Sequence, residues 1–193
     1  MGYFKTWLEV VFDPMEFLEK LPKKVKYREP AIFALKTYGF GLAVLLVIGL
    51  FFSVIFSTMF AGLGLSKLAG IGFIGIFLMI ILGIPLMLAF AFVGLFIGSG
   101  LIHLFVTLLG GKGSYKETFR LYSYSIAPSL IWFIPMINAI VGIYSLILVI
   151  MGVYVRHKLS VGRSVLAVLL PTILFFFIVM FTASLYMTLG GLI

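Results

Sequence analysis

Cysteine is absent from this chain of 193 residues. That excludes disulfides, thiolate nucleophiles and cysteine-ligated metal centres, and leaves the redox compartment unread. Acidic residues are nearly as scarce: there are six Asp and Glu together, and Asp13 is the only aspartate, well outside every apolar run. An intramembrane pair of aspartates sharing a proton is therefore impossible. Histidine occurs only at His103 and His157. A catalytic zinc ordinarily takes three protein ligands, so these two make a poor basis for a metal site. Charged residues of both signs amount to 10% of the chain, against about 25% in a soluble domain.

What is present is apolar, with 63% hydrophobic residues. Uncharged runs cover 37–66, 68–111, 121–155 and 164–193, each long enough for at least one spanning helix of roughly 20 residues. The expected fold is all-α, a polytopic membrane helical bundle, with a cytoplasmic segment over 1–30 and a membrane domain over 31–193. A formal charge of +8 would suit nucleic acid, but the basic residues flank apolar runs, where cytoplasmic loops and anionic headgroups account for them. The charged residues of 1–36 before the first run also argue against a cleavable signal.

Charge decides the number of crossings better than length does. If 68–111 crosses once and 121–155 twice, 13 of the 14 basic residues fall on one side and Lys67 alone on the other. Two crossings in both runs split the 14 evenly, 7 and 7, and one crossing in each gives 10 and 4. The positive-inside rule selects five spans, near 31–61, 71–109, 119–135, 138–155 and 165–189, with the N-terminus cytoplasmic and the C-terminus external or lumenal. The long second span should kink at Pro85, which removes an intrahelical hydrogen bond.

Ahead of the spans, Phe4, Trp7, Leu8 and Val11 repeat at helical spacing, predicting an amphipathic interfacial helix on the membrane surface. A second helix should begin at Pro14, with Asp13 as cap, Glu16 completing a capping box, and Phe12 and Phe17 forming a hydrophobic staple. Lys23, Lys24, Lys26 and Arg28 form a basic strip, echoed by Arg156, Lys158 and Arg163; both sets suit anionic lipid headgroups or simply fix topology. Gly94 and Gly98 form a GxxxG pair suited to helix packing. Gly70, Gly72 and Gly75 match GxGxxG in letters only, since no strand precedes them, and Val106 stands where a P-loop before Lys112 and Ser114 needs glycine. Neither motif predicts a nucleotide or other cofactor.

Candidate functional residues follow from what is polar in or beside the runs. His103 titrates near neutrality, with Ser99 one turn earlier and placed to hydrogen-bond it. A proton, metal or catalytic role stands beside the plainer reading of a neutral histidine packed near the cytoplasmic interface. Tyr122, Tyr124, Trp132 and Tyr154 suit interfacial anchors, and Asn138 marks a hairpin turn.

The segment Tyr122-Ser123-Tyr124-Ser125 followed by Pro128, the Pro135 turn, and Gly152 followed by His157-Lys158-Leu159-Ser160 and Arg163 resemble the Yip-domain family of Rab-interacting membrane proteins. The Asp13-Pro14 start with Phe17 is similar to its prokaryotic members. The resemblance implies five spans, a cytoplasmic N-terminus and a role in membrane trafficking. Where eukaryotic relatives carry Asp-Leu-Tyr-Gly-Pro before the first span, this chain reads Tyr27-Arg28-Glu29-Pro30, and it lacks their long cytoplasmic extension, so a Rab partner does not carry over.

Two functional expectations result. One is a non-catalytic organiser that binds membrane lipid, a membrane-protein partner or a second copy of itself. The other is a passive or proton-coupled permease, or a lipid translocator, built on the kinked second span around His103. Paired midplane charges and an internal repeat, which a transporter would normally show, are missing.

Overall fold

The computed structural model describes residues 2–22, 26–65, 70, 75 and 78–190. Lys23, Lys24, Lys67 and Gly72, named above, lie outside the described residues. The elements are α1 (Tyr3–Phe12), α2 (Pro14–Lys20), α3 (Arg28–Gly62), a π-helical turn (Met79–Gly83), α4 (Ile84–Leu108), α5 (Tyr115–Tyr124), two 3-10 turns (Ala127–Ile131 and Pro135–Ile137), α6 (Asn138–His157) and α7 (Val161–Gly190). No strand occurs among the described residues.

Among the described residues, four helices are long and apolar enough to cross a bilayer: Arg28–Gly62, Met79–Leu108, Asn138–His157 and Val161–Thr188. The expected crossing at 119–135 is not one continuous helix. It is the 10-residue α5 followed by the two 3-10 turns. Pro128 sits at the start of the first turn and Pro135 opens the second, and each proline removes a backbone donor that a continuous helix would use. This broken leg still matches α6 in reach: the Lys112 N–H donates to the His157 carbonyl at one end, and Ile137 joins Asn138 at the other. α6 has 20 residues, or about 30 Å of helix. The π turn ends two residues before Pro85, where loss of the proline N–H and the clash of its ring shift the hydrogen-bond register.

Burial divides the molecule in two. The buried residues of α3 all lie between Pro30 and Leu42, those of α4 between Leu95 and Val106, and in α7 the last buried residue is Pro171. Together with α1, α2 and the hairpin they form a packed body around three apolar clusters. Val10, Phe17, Leu18, Phe33, Leu121 and Leu148 make the first; Ile102, Val106, Val149, Val153 and Val168 the second; Ala31, Ala34, Leu95, Phe119 and Ile126 the third. Beyond the body, 43–62 of α3 and 172–188 of α7 project with their side chains exposed or half-buried. At roughly 1.5 Å per residue each projection is about 30 Å long, the thickness of a bilayer's hydrocarbon core.

The N-terminal helices form where expected but do not simply lie on a surface. α1 turns Val10 and half-buried Tyr3, Trp7 and Val11 into the first cluster. The Trp7 indole N–H donates to the Ala127 carbonyl at 2.7 Å and the Tyr144 hydroxyl donates to the Val11 carbonyl at 2.5 Å. Phe4 and Leu8, read as sharing that buried face, are exposed along with Phe12. Pro14 does open α2, but Asp13 makes no side-chain cap bond, and Glu16 pairs with Lys20 instead of completing a box. The staple is likewise not formed, because Phe17 packs edge-on against Tyr124 at 5.0 Å while Phe12 is exposed.

Candidate functional site

The body is assembled around α5. Its mean composition is polar, yet Glu117, Thr118, Phe119, Arg120, Leu121 and Ser123 are all buried. Five of these are consecutive, so neighbours must surround the helix on every side, and its polar groups must find partners or cost several kcal/mol each.

On one side Glu117 accepts from two arginines. The Arg120 guanidinium, one turn along α5, reaches Glu117 Oε1 at 2.5 Å, and Arg156 of α6 meets the same oxygen through its Nε. Arg120 also donates to the Pro22 carbonyl at 2.7 Å. One carboxylate therefore ties α5 to α6, and through Arg120 to the link between α2 and α3. Arg120 is 3% exposed and Glu117 7%, while the Arg156 side chain keeps 18% of its surface, so the Arg–Glu–Arg triad is buried at Arg120 and Glu117 and reaches the surface through Arg156.

On another side Thr118 joins the only two histidines. His103 Nδ1 lies 2.8 Å from the Thr118 hydroxyl, and His157 Nε2 lies 3.0 Å from it. The hydroxyl has one proton to give, so it donates to one ring and accepts from the other. His157 is wholly buried and its Nδ1 has no partner. That nitrogen faces Gly113, where a Cβ would collide with the imidazole; glycine is what lets the loop close over the ring. Ser99, expected to serve His103, instead donates to the Leu95 carbonyl at 2.6 Å and sits 3.1 Å from the Tyr115 hydroxyl. The expected Ser99–His103 bond is replaced because Thr118, arriving from α5, offers a closer partner. Among the described residues no three His, Asp or Glu side chains gather as a metal site.

The other sequence candidates scatter. Tyr122 lies over Gly98, where a Cβ would come within 2.6 Å of its hydroxyl, whereas Gly94 faces open space. The GxxxG pair is thus divided between one packed and one open glycine, because a tyrosine and not a second helix backbone fills the notch. Tyr124 packs on Phe17 and Phe33 and Pro128 is buried. Trp132 is no surface anchor: its ring lies against Gly41 of α3 and its buried Nε1 has no partner. Tyr154 is 43% exposed, as an anchor requires. Asn138, Lys26 and Arg28 are exposed. Arg163 approaches the Leu109 carbonyl at 3.5 Å, and Lys158, with φ of 55°, is the only non-glycine at positive φ among the described residues.

Sequence reasoning missed Glu117, Thr118 and Gly113. Glu117 and Arg120 three residues apart on a helix were a readable pair, but nothing in the sequence joins either to Arg156.

Comparison with known proteins finds the Yip1 domain over residues 8–183. No curated protein and no solved structure matches the chain.

Proposed function

From the premise that this chain belongs to the Yip1-domain family, we propose that it is a non-catalytic membrane organiser, holding a membrane-protein partner, a second copy or anionic lipid at its cytoplasmic face. It is an integral membrane protein, with apolar helices of spanning length. The observation that carries the organiser reading is how its titratable groups are engaged. Glu117 is held by two arginines and both histidines by Thr118, so the buried polar groups build the body. The surface left open is apolar: Phe4, Leu8 and Phe12 line one face of α1, each a helical turn from the next.

The proposed topology has five crossings, the N-terminus cytoplasmic and the C-terminus external. Its support is the charge split together with the placement of Lys112 beside His157, which brings both basic ends of the hairpin to one side. Three single-cysteine variants test it. Lys112→Cys should be labelled from the cytoplasmic side, Met136→Cys and Met187→Cys from outside; all three positions are exposed. A Met136→Cys thiol reached from neither side would reduce the hairpin to a re-entrant loop and the crossings to three.

Function is tested by flux. Proteoliposomes carrying wild type or His103→Ala should pass protons, ions and labelled lipid equally and negligibly. A robust flux that His103→Ala abolishes would overturn the organiser and make the His103–Thr118–His157 chain a conduction path.

A further inference from the structure

We propose that the loops closing the hairpin form a binding site for a dianionic phosphate monoester. Lys112, Gly113, Ser114, Arg156 and Lys158, with Glu117 and Val155, line an open pocket of about 320 Å³. The loops are locked together by the bond from the Lys112 N–H to the His157 carbonyl, 3.0 Å long. That bond places Lys112 and Lys158, far apart in sequence, on facing walls. Both side chains are exposed and neither forms an ion pair among the described residues.

Two independent features point to a phosphate. The first is charge: Lys112, Arg156 and Lys158 share the pocket lining with a single carboxylate, Glu117, which is already engaged by Arg156 and Arg120. The surplus suits an anion carrying more than one charge. The second is the N-terminus of α5. Ser114 holds the N-cap position without making a side-chain cap bond, so its hydroxyl remains available. The first N–H groups of the helix point outward with the positive end of the dipole behind them.

The phosphate could belong to a lipid headgroup or to a soluble monoester. This assignment deepens the organiser reading by naming the group it holds, and a failure here leaves the labelling and flux outcomes untouched. The test titrates the full detergent-solubilised chain with dioctanoyl phosphatidic acid, dioctanoyl phosphatidylglycerol and inorganic phosphate. Phosphatidic acid should bind about tenfold tighter than phosphatidylglycerol, whose diester phosphate has one charge and fewer free oxygens. The double variant Lys112→Gln/Lys158→Asn should lose about tenfold in phosphatidic acid affinity. Asparagine is chosen because it tolerates the left-handed backbone at Lys158. Lys36→Gln, an exposed cation elsewhere, should bind as wild type, and unchanged thermal unfolding of the double variant confirms its fold; Lys112→Gln alone should lose about threefold. Inorganic phosphate binding as tightly as phosphatidic acid would identify a soluble monoester, and phosphatidic acid alone a lipid. Equal affinity for the two lipids, or no loss in either Lys112 variant, overturns the site.

Discussion

Glu117→Ala is expected to destabilise the body more than any other single polar substitution. Removing the carboxylate strands Arg120, 3% exposed, and Arg156 side by side with no anion between them. Breaking a buried ion pair from one side costs about 3–5 kcal/mol, because a charge is left desolvated and unpaired. For a chain of this size, that corresponds to a fall of about 10 °C in the unfolding midpoint. The loss should be recovered in part by Glu117→Ala combined with Arg156→Met, which removes one of the stranded charges. A midpoint within about 2 °C of wild type would show that water reaches the triad, and the account of α5 as a buried strut would fail.

Phe119→Ala is the apolar counterpart. The ring is fully buried and meets residues from two other parts of the chain, Tyr27 at 5.1 Å and Phe96 at 4.6 Å between centroids, with Tyr115, one turn earlier on α5, at 6.5 Å. A buried Phe→Ala change costs about 3–5 kcal/mol from lost transfer energy and the cavity left behind, and the aromatic pairs add to it. The effect should be local as well as large. Hydrogen exchange should rise over 28–42 of α3, which packs on this cluster through Ala31 and Ala34, and stay unchanged over 43–62, which projects from the body. Uniform exchange along α3 would mean that the body and the projections are not separable units.

Much of the fold was legible because it follows from local periodicity. Runs free of charge can only be satisfied in a bilayer as helices, and α3, α6 and α7 begin and end close to the expected boundaries, while α4 ends close to its own. The start of α2 at Pro14 was equally readable, since proline's fixed φ suits the first helical position. The cap and staple around it were not, because they compete with tertiary partners. Phe17 gains more by packing on Tyr124 and in the first cluster than by covering Phe12. The third crossing was misjudged as a continuous helix for a related reason. Charge patterning counts the ends of a segment and is silent about what Pro128 and Pro135 do between them.

The candidate site was far less visible. His103 was singled out from its type and depth, but its partner is Thr118 of α5, and the second histidine comes from the far end of the hairpin. Arg156 and Lys158 looked like topology signals; Arg156 is one member of the Arg–Glu–Arg triad, and both stand on the wall of a pocket.

The sequence by itself determined that this is an integral membrane protein made of helices, with its basic residues flanking the apolar runs. Those properties are sums over neighbouring residues: hydropathy over about 20 positions and charge over loops. Only the tertiary structure decided that a polar ten-residue helix lies at the centre of the body, that Glu117 serves two arginines, and that Thr118 stands between the histidines. Each depends on segments distant in sequence coming together, Thr118 with His157 39 residues on and Arg120 with Pro22 98 residues back, and close packing is permitted by glycines at 113 against His157, at 98 against Tyr122 and at 41 against Trp132. A glycine permits contact without specifying with what. The partner is fixed only when the apolar clusters have brought the chain together.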